Sequence, residues 1–441
     1  MQTNTQLPST LRIHPAFLDG TVRIPPSKSL AHRAVMAASL ARGTSRIENI
    51  AFSVDIGVTV DAMEALGAVI HREKGPDGRY TLTIQGNGGR PQTGEVTLDC
   101  AESGSTLRFL IPLGMQLADR VTLTGAGRLV ERPLDVYYRL FEERHIAYQN
   151  DNGKLPLTVG GRWTAGTYRM RGDVSSQFVT GLLYTLPLLA GDSRIEITTE
   201  MESRGYLDLT LDMLRTFGIR VNNHEDYRVF DIPGGQSFQA RDYRVEGDYS
   251  QAAFYLVAGA LNGNLVLEDL HRESLQGDKI ILQLFAKMGA DLQISPSGSC
   301  HIRKGKTRGI EVDCQEFPDL VPVLAVLAAL SEGTSRLTGL ERLKIKESDR
   351  LLAIATELET LGAVVRRGET WLELDGVDCF QGGTVDAWND HRIAMSMAVA
   401  ALASREPVIL TGAGSVRKSY PEFWSDYRAL GGMTDEWNLG K

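Results

Sequence analysis

Basic and hydroxyl-bearing residues recur where an apolar run begins, and that placement suits the binding of anions. Ser27-Lys28-Ser29-Leu30-Ala31-His32-Arg33 follows the alternation Thr21-Val22-Arg23-Ile24 and the stop Pro25-Pro26, and opens an apolar run to Leu40, which reads as strand, turn, helix. Ser27 or Ser29 would cap the helix. Lys28 and Arg33 would lie in or beside its first turn, where free backbone N–H groups and the positive dipole end favour an anion. Comparable starts stand at Glu102-Ser103-Gly104-Ser105-Thr106-Leu107-Arg108, Asp173-Val174-Ser175-Ser176-Gln177, Lys346-Glu347-Ser348-Asp349-Arg350 and Asn389-Asp390-His391-Arg392. Each alone could be an ordinary cap with solvated charges. With Glu131-Arg132-Pro133 and Lys418 they form a set of helix tips and cations suited to phosphate and carboxylate groups.

The elements that position this set repeat along the chain. A helix-like run, a turn and a strand-like run recur around Gly43, Asp119, Gly191, Gly263, Gly333 and Arg405, a period of roughly 70 to 76 residues that suits one α/β unit rather than a solenoid turn. In phase with it, Leu66-Gly67, Phe217-Gly218, Met288-Gly289, Leu361-Gly362 and Leu430-Gly431 each end a helix before a strand, with a degenerate copy near His145-Ile146. The reading is an α/β (α+β) fold of six β-α-β-α-β-β units, three to a domain. Residues 27–245 would form one lobe, inserted between 1–26 and 246–441, which form the other. Two crossings at a hinge leave a ligand cleft between the lobes.

Composition narrows the function. Of 441 residues, 42% are hydrophobic and 23% charged, as in soluble globular proteins. No apolar stretch reaches the roughly 20 residues that span a bilayer, and the polar start has no secretory pattern, so a cytoplasmic protein is expected. A balance of 47 basic against 55 acidic residues, net −8, argues against nucleic acid as partner. Cys100, Cys300, Cys314 and Cys379 lack metal-ligand spacing and read as free thiols. Gly125-Ala126-Gly127 and Gly412-Ala413-Gly414 lack the third glycine of a dinucleotide fingerprint and read as turns at matching repeat positions. His391 reads as structural, and Cys100 as a buried thiol.

Ser27-Lys28-Ser29-x-x-His32-Arg33, Gly104-Ser105-Thr106-x-Arg108, Glu131-Arg132-Pro133, Ser175-Ser176-Gln177, Lys346-Glu347-x-Asp349-Arg350 and Asn389-Asp390-His391-Arg392 together resemble the 5-enolpyruvylshikimate-3-phosphate synthase family over essentially the whole chain. The resemblance implies two lobes built around pseudo-threefold axes, and transfer of the enolpyruvyl group of phosphoenolpyruvate to the 5-hydroxyl of shikimate 3-phosphate, with release of phosphate. It implies no metal or organic cofactor, and a monomer is expected. Carried over by position, Lys28, Gly104, Arg132, Gln177, Arg350, Arg392 and Lys418 would face phosphoenolpyruvate. Lys28, Ser29, Arg33, Ser175, Ser176, Gln177, Ser203, Asp319 and Lys346 would hold shikimate 3-phosphate. Asp319, Glu347 and Lys28 are the proton-transfer candidates.

Those residues suit the chemistry, because two substrates each carrying a carboxylate and a phosphate need a cationic site, and enol addition needs an acid and a base. Bland readings compete: Asp319, just before an apolar run, could be a helix cap, and Glu347 could sit in a surface ion-pair network. The chain departs from many relatives at Glu102 and Arg342, where Asn is common, and at Arg204-Gly205, where Lys-Pro is common. An extra carboxylate at Glu102 would repel an anionic substrate unless it turned away. Gly104 is retained, so inhibition by glyphosate at the phosphoenolpyruvate site is expected. The sister transferase acting on UDP-N-acetylglucosamine usually has Lys-Asn where Lys28-Ser29 stands and a loop cysteine before Arg-Pro, which Val121 to Leu134 lacks. A non-catalytic phosphosugar-binding protein is the other alternative, and the retained Lys28, Asp319 and Glu347 argue against it.

Overall fold

The computed structural model describes residues 9–224 and 226–437; the first eight residues of the polar start read for a secretory leader lie outside them. Contacts divide the chain into two compact units, one running from Pro26 to Glu246 and the other made of the residues up to Pro25 together with those from Gly247 onward. Each unit has its own hydrophobic core, and no core residue of one belongs to the other.

Twelve α-helices are present among the described residues, and they alternate between two kinds. In the continuous unit these are α1 (Lys28–Leu40), α2 (Val54–Ala65), α3 (Gly104–Leu117), α4 (Asp135–Glu143), α5 (Ser176–Thr185) and α6 (Arg204–Thr216). The other unit has α7 (Tyr249–Asn262), α8 (Ile281–Met288), α9 (Val321–Ala329), α10 (Arg350–Thr360), α11 (His391–Ala401) and α12 (Phe423–Ala429). The odd-numbered helices are apolar on every side and are buried accordingly. α9 and α11 are buried at every residue, α1 from Leu30 to Leu40, and α5 everywhere except Gln177. The even-numbered helices bury one face, as α8 does with Ile281, Leu284, Phe285 and Met288, the spacing of an amphipathic helix. No described helix is long and apolar enough to cross a membrane.

Six four-stranded sheets share one pattern. In one, Glu95–Asp99 runs parallel to Arg120–Thr124, which is antiparallel to Lys154–Gly160, itself antiparallel to Tyr148–Asp151. In four of the six sheets the odd-numbered helix, α3, α5, α9 or α11, is the crossover between the two parallel strands, a connection that only a helix-length segment can make. Helix, turn and strand recur at all six places read from the sequence. At the second helix ends, Gly67, Gly218, Gly289, Gly362 and Gly431 have φ between +78° and +99°, and the degenerate copy places His145 at +54°. Glycine adopts that conformation without strain, and His145 does so at a cost.

Two strands close the pattern at the unit seams. Leu18–Arg23 is the parallel edge strand for Gly263–Glu268, and Tyr243–Arg244 is the parallel edge strand for Arg42–Ile50. One strand escapes the sequence reading. Thr10–His14 lies antiparallel between Val408–Thr411 and Met433–Glu436, so the start of the chain supplies the third strand of the last repeat.

Glycines after the third strand let the sheet pack on the end of the buried helix. A Cβ on Gly376 would collide with the Ser331 carbonyl just beyond α9, and one on Gly86 or Gly234 would meet carbonyls beyond α1 or α5. Gly376→Ala is therefore expected to destabilise the protein by about 1–3 kcal/mol, the usual cost of overpacking, read as a lower urea midpoint. An unchanged midpoint would mean that this contact gives way freely.

Candidate active site

In the continuous unit, the starts of α1, α3 and α5 meet. Ser27 caps α1, its hydroxyl accepting from Leu30 N at 3.5 Å, so Lys28 is the first helical residue. The Lys28 ammonium donates to Asp55 Oδ2 at 2.8 Å from the first turn of α2. Buried hydroxyls then join three helices: Thr59 Oγ1 lies 2.8 Å from His32 Nδ1 and 2.6 Å from Thr106 Oγ1, which is 2.7 Å from the α3 cap Ser103. Burial, with Lys28 and Arg33 nearby, holds His32 well below its ordinary pKa, so the imidazole is neutral.

Arg33 is buried and held in place by its neighbours. Its guanidinium donates to Thr210 Oγ1 at 2.9 Å and to the carbonyls of Ser29 and Tyr206, stacks on Phe109, and is pushed down to about 10 by burial. Gln177, the one residue of α5 that escapes burial, accepts from Arg108 Nη1 at 2.8 Å and donates to Ser105 Oγ at 2.9 Å. Ser175 caps α5 by accepting from Gln177 N. Gly104 is closely covered: a Cβ there would lie 2.6 Å from Arg132 Nη1, 3.5 Å from Arg108 Nη1 and 3.7 Å from Gln177 Oε1. Ser203 precedes α6 without a side-chain cap and has φ +55°, a left-handed conformation costly for serine and found most often at functional sites.

In the discontinuous unit, Arg350 is the hub. Its side chain is 1% exposed, and it donates to Asp390 Oδ2 at 2.8 Å, Asp319 Oδ1 at 2.7 Å and Glu347 Oε2 at 2.6 Å. Burial opposes its charge, but the three carboxylates outweigh burial and hold its pKa above the ordinary value. Asp390, fully buried, is pushed up by burial and pulled down further by Arg350, so it ends below the usual carboxyl range. It also caps α11 by accepting from Arg392 N at 2.9 Å. Arg392 reaches Asp319 twice, at 3.0 Å to its carbonyl and 3.0 Å to Oδ2. Lys346 Nζ lies 3.4 Å from Asp319 Oδ1; burial pushes its ammonium down to about 8, against the pull of Asp319, with Arg342 and Arg350 adding to the fall. Lys418 donates to the Asn389 carbonyl at 2.6 Å, beside the start of α11. Asn389 and Trp388 both have positive φ.

Two bland readings of the sequence do not hold. Asp319 does not cap α9, whose flanking residue Leu320 makes no side-chain cap; its carboxylate instead meets Arg350, Arg392 and Lys346. Glu347 is not in a surface network, because its partner Arg350 is buried. Glu102 lies against Gly127, whose added Cβ would touch its carboxylate, and it is absent from the nearest neighbours of Gly104. Arg204 pairs with Asp226 at 2.6 Å and covers Tyr227. Burial pushes the Cys100 thiol up to about 12, as fits a buried, unreactive group.

Sequence reasoning missed the residues that hold the candidates in place: Asp55 behind Lys28, Arg108 behind Gln177, and Asp390 behind Arg350. The last two stood inside quoted motifs. Asp55 carried only one signal, an acid near the start of a helix.

The sequence profile of the family described as EPSP synthase (3-phosphoshikimate 1-carboxyvinyltransferase) matches residues 14–427. The chain is 50% identical over 436 residues to the 3-phosphoshikimate 1-carboxyvinyltransferase of Clostridium novyi, covering 98% of this chain and 99% of that one. It is 48% identical over 429 residues to the Clostridium kluyveri protein of the same name, covering 97% and 99%. Its fold superposes on the solved structure of EPSP synthase from Acinetobacter baumannii with a TM-score of 0.80, at 25% identity over 97% of this chain and 99% of that one.

Replacing Arg350 tests its place as hub. Arg350→Met leaves three carboxylates facing one another around a buried apolar side chain, and is expected to destabilise the protein by about 3–5 kcal/mol. Guanidinium denaturation would show this as a lowered midpoint; an unchanged midpoint would remove Arg350 from the fold's electrostatic core.

Proposed function

Because the chain belongs to the EPSP synthase family, a 1-carboxyvinyltransferase of the shikimate pathway acting on phosphoenolpyruvate and shikimate 3-phosphate, we propose that the two clusters described above serve that one pair of substrates. Lys28, Arg132, Arg350, Arg392 and Lys418 supply cations to phosphoenolpyruvate, with Gly104 leaving room for it and Gln177 an amide. Ser29, Arg33, Ser175, Ser176, Ser203 and Lys346, with Lys28 and Gln177, hold shikimate 3-phosphate. The observation that carries this assignment is the Asp319 carboxylate, set among Arg350, Arg392 and Lys346 rather than spent on a helix cap.

On this reading Asp319 accepts the proton of the 5-hydroxyl as its oxygen bonds to C2 of phosphoenolpyruvate, while C3 gains a proton. Loss of a proton from C3 and departure of phosphate then restore the double bond, now on the acceptor. Glu347 exchanges the carbon-bound proton, and Lys28 donates near the bridging oxygen of the leaving phosphate. The reaction needs cations more than covalent help, since addition brings several negative charges together and a low-dielectric site strengthens their neutralisation. We place the enzyme in the cytoplasm as a monomer, each chain supplying its own complete set of residues.

A phosphate-release assay with both substrates tests the assignment. Lys28→Met and Asp319→Ala are each expected to lower kcat by about 10³-fold or more while a cooperative unfolding transition shows that the fold is retained, and a near-normal rate in either removes that residue from the mechanism. UDP-N-acetylglucosamine in place of shikimate 3-phosphate is expected to release no phosphate.

Glyphosate is expected to inhibit in competition with phosphoenolpyruvate. In Gly104→Ala the new methyl group meets the mobile end of Arg132 rather than backbone, so the fold survives. The KM for phosphoenolpyruvate and the inhibition constant are expected to rise by about tenfold or more, the equivalent of about 1.4 kcal/mol. Undiminished turnover of the parent protein in millimolar-range glyphosate, at limiting phosphoenolpyruvate, would sink this reading.

A further inference from the structure

Helix α10 holds one segment of the chain at two points. Arg350 and Glu357 stand two turns apart on one face of that helix, about 10 Å along its axis. Arg350 takes Asp390, the cap of α11, and Glu357 takes the residues just before that cap. Glu357, 5% exposed, uses both carboxylate oxygens: Oε1 accepts from the Trp388 indole Nε1 at 2.6 Å and Oε2 from the Asp386 backbone N–H at 3.1 Å. Burial raises the pKa of this carboxyl, and the two hydrogen bonds, which favour the ionised form, bring it part of the way back.

Between the two anchored points the backbone is strained. Trp388 and Asn389 are consecutive left-handed residues, at φ +54° and +50°, and a side chain as bulky as tryptophan adopts that conformation only where its surroundings impose it. The turn is closed by Trp388 N donating to Asp386 Oδ1 at 2.5 Å. Two cations are placed by it. The Asn389 carbonyl takes the Lys418 ammonium at 2.6 Å, and α11, which starts just after the turn, carries Arg392 onto Asp319.

We propose that Glu357 is a positioning residue for phosphoenolpyruvate: by holding Trp388 and Asp386 it keeps the left-handed turn in the form that sets Lys418 and Arg392. Its bonds go to the turn and to neither cation, so it acts on the substrate only through them. Loss of the carboxylate leaves the indole N–H and the Asp386 N–H without their acceptor and lets the turn relax toward an unstrained backbone. Lys418 then loses the placement of its carbonyl partner, and Arg392 its register with Asp319. The groups assigned to shikimate 3-phosphate in the continuous unit, Ser29, Arg33, Ser175, Ser176 and Ser203, do not depend on this turn.

This rests on the assignment of Arg392 and Lys418 to phosphoenolpyruvate. The experiment measures KM for each substrate at saturating co-substrate in Glu357→Gln, Glu357→Leu and Trp388→Phe, at a temperature where each variant is fully folded. Gln can accept from only one of the two donors, and Leu from neither. The KM for phosphoenolpyruvate is expected to rise about tenfold or more in Glu357→Leu and by a smaller factor in Glu357→Gln, with the KM for shikimate 3-phosphate within about twofold of the parent. Trp388→Phe removes the indole N–H and is expected to raise the same constant. Combined with Glu357→Leu it is expected to add less than about twofold, because the two act through one hydrogen bond. Should Glu357→Leu not fold, Glu357→Gln and Trp388→Phe decide by themselves. A buried acid with a merely structural role would lower the unfolding temperature and leave both constants of the folded enzyme unchanged. An unchanged KM for phosphoenolpyruvate in Glu357→Gln and Trp388→Phe, or an equal rise in both constants, would overturn the proposal. Failure of the underlying assignment is distinct, since the parent protein itself would then release no phosphate from the two substrates.

Discussion

A helix without a polar face can meet water, substrate or charge only at its ends. The odd-numbered helices of both units are of this kind: α9 and α11 are buried at every residue and α1 from its third residue onward. Their sides are closed off by their own apolar composition, so any chemistry must gather at their tips. The tips are also where backbone N–H groups are left without helical partners and the dipole is positive. The fold therefore selects its ligand class before any particular side chain is considered, and anions are the class it selects.

What distinguishes the two units is how the tips are charged. In the continuous unit the starts of α1, α3 and α5 are joined by hydroxyls and one amide, through Thr59, Thr106, Ser103, Ser105 and Gln177, with Lys28 and Arg108 as cations on neutral or single-acid partners. In the other unit, Arg350 and Arg392 are set among Asp319, Glu347 and Asp390. Removing such charges from water costs several kcal/mol for each ion unless they are paired and hydrogen-bonded. Arg350 meets that requirement by engaging three carboxylates at once, which a lysine with its single nitrogen could not reproduce with the same planar geometry.

Much of this was legible in the sequence, and for definable reasons. The repeat could be read because its turns and left-handed glycines are local requirements of the backbone, independent of what packs around them. The degenerate copy at His145 was legible by its phase, although the residue type gave no sign. Thr10–His14 was not legible as the third strand of the last sheet, because its partners lie about four hundred residues away and strand pairing at that distance leaves no local mark. At the site, Lys28, Gly104, Arg132 and Arg392 announced themselves through position in motifs, whereas Asp319 came only from what the family resemblance implies. Asp55 and Asp278 did not, because an acid near a helix start is commonplace. Only the fold shows that the first faces a lysine and the second does not.

That asymmetry shows how a repeated scaffold acquires chemistry that its separate copies lack. The helix tip, the acid beside it and the hydroxyl near it are present in both units, in Lys28, Asp55 and Ser29 and again in Tyr249, Asp278 and Ser250. Where one unit has a lysine and the other a tyrosine, the acid has a different partner. With lysine present, the acid is one half of a settled ion pair at 2.8 Å. Without it, the acid is buried and bonded to the Ser250 hydroxyl. One repeated position therefore holds an ion pair in one unit and a hydrogen-bonded acid in the other, according to the residue at the start of the neighbouring helix.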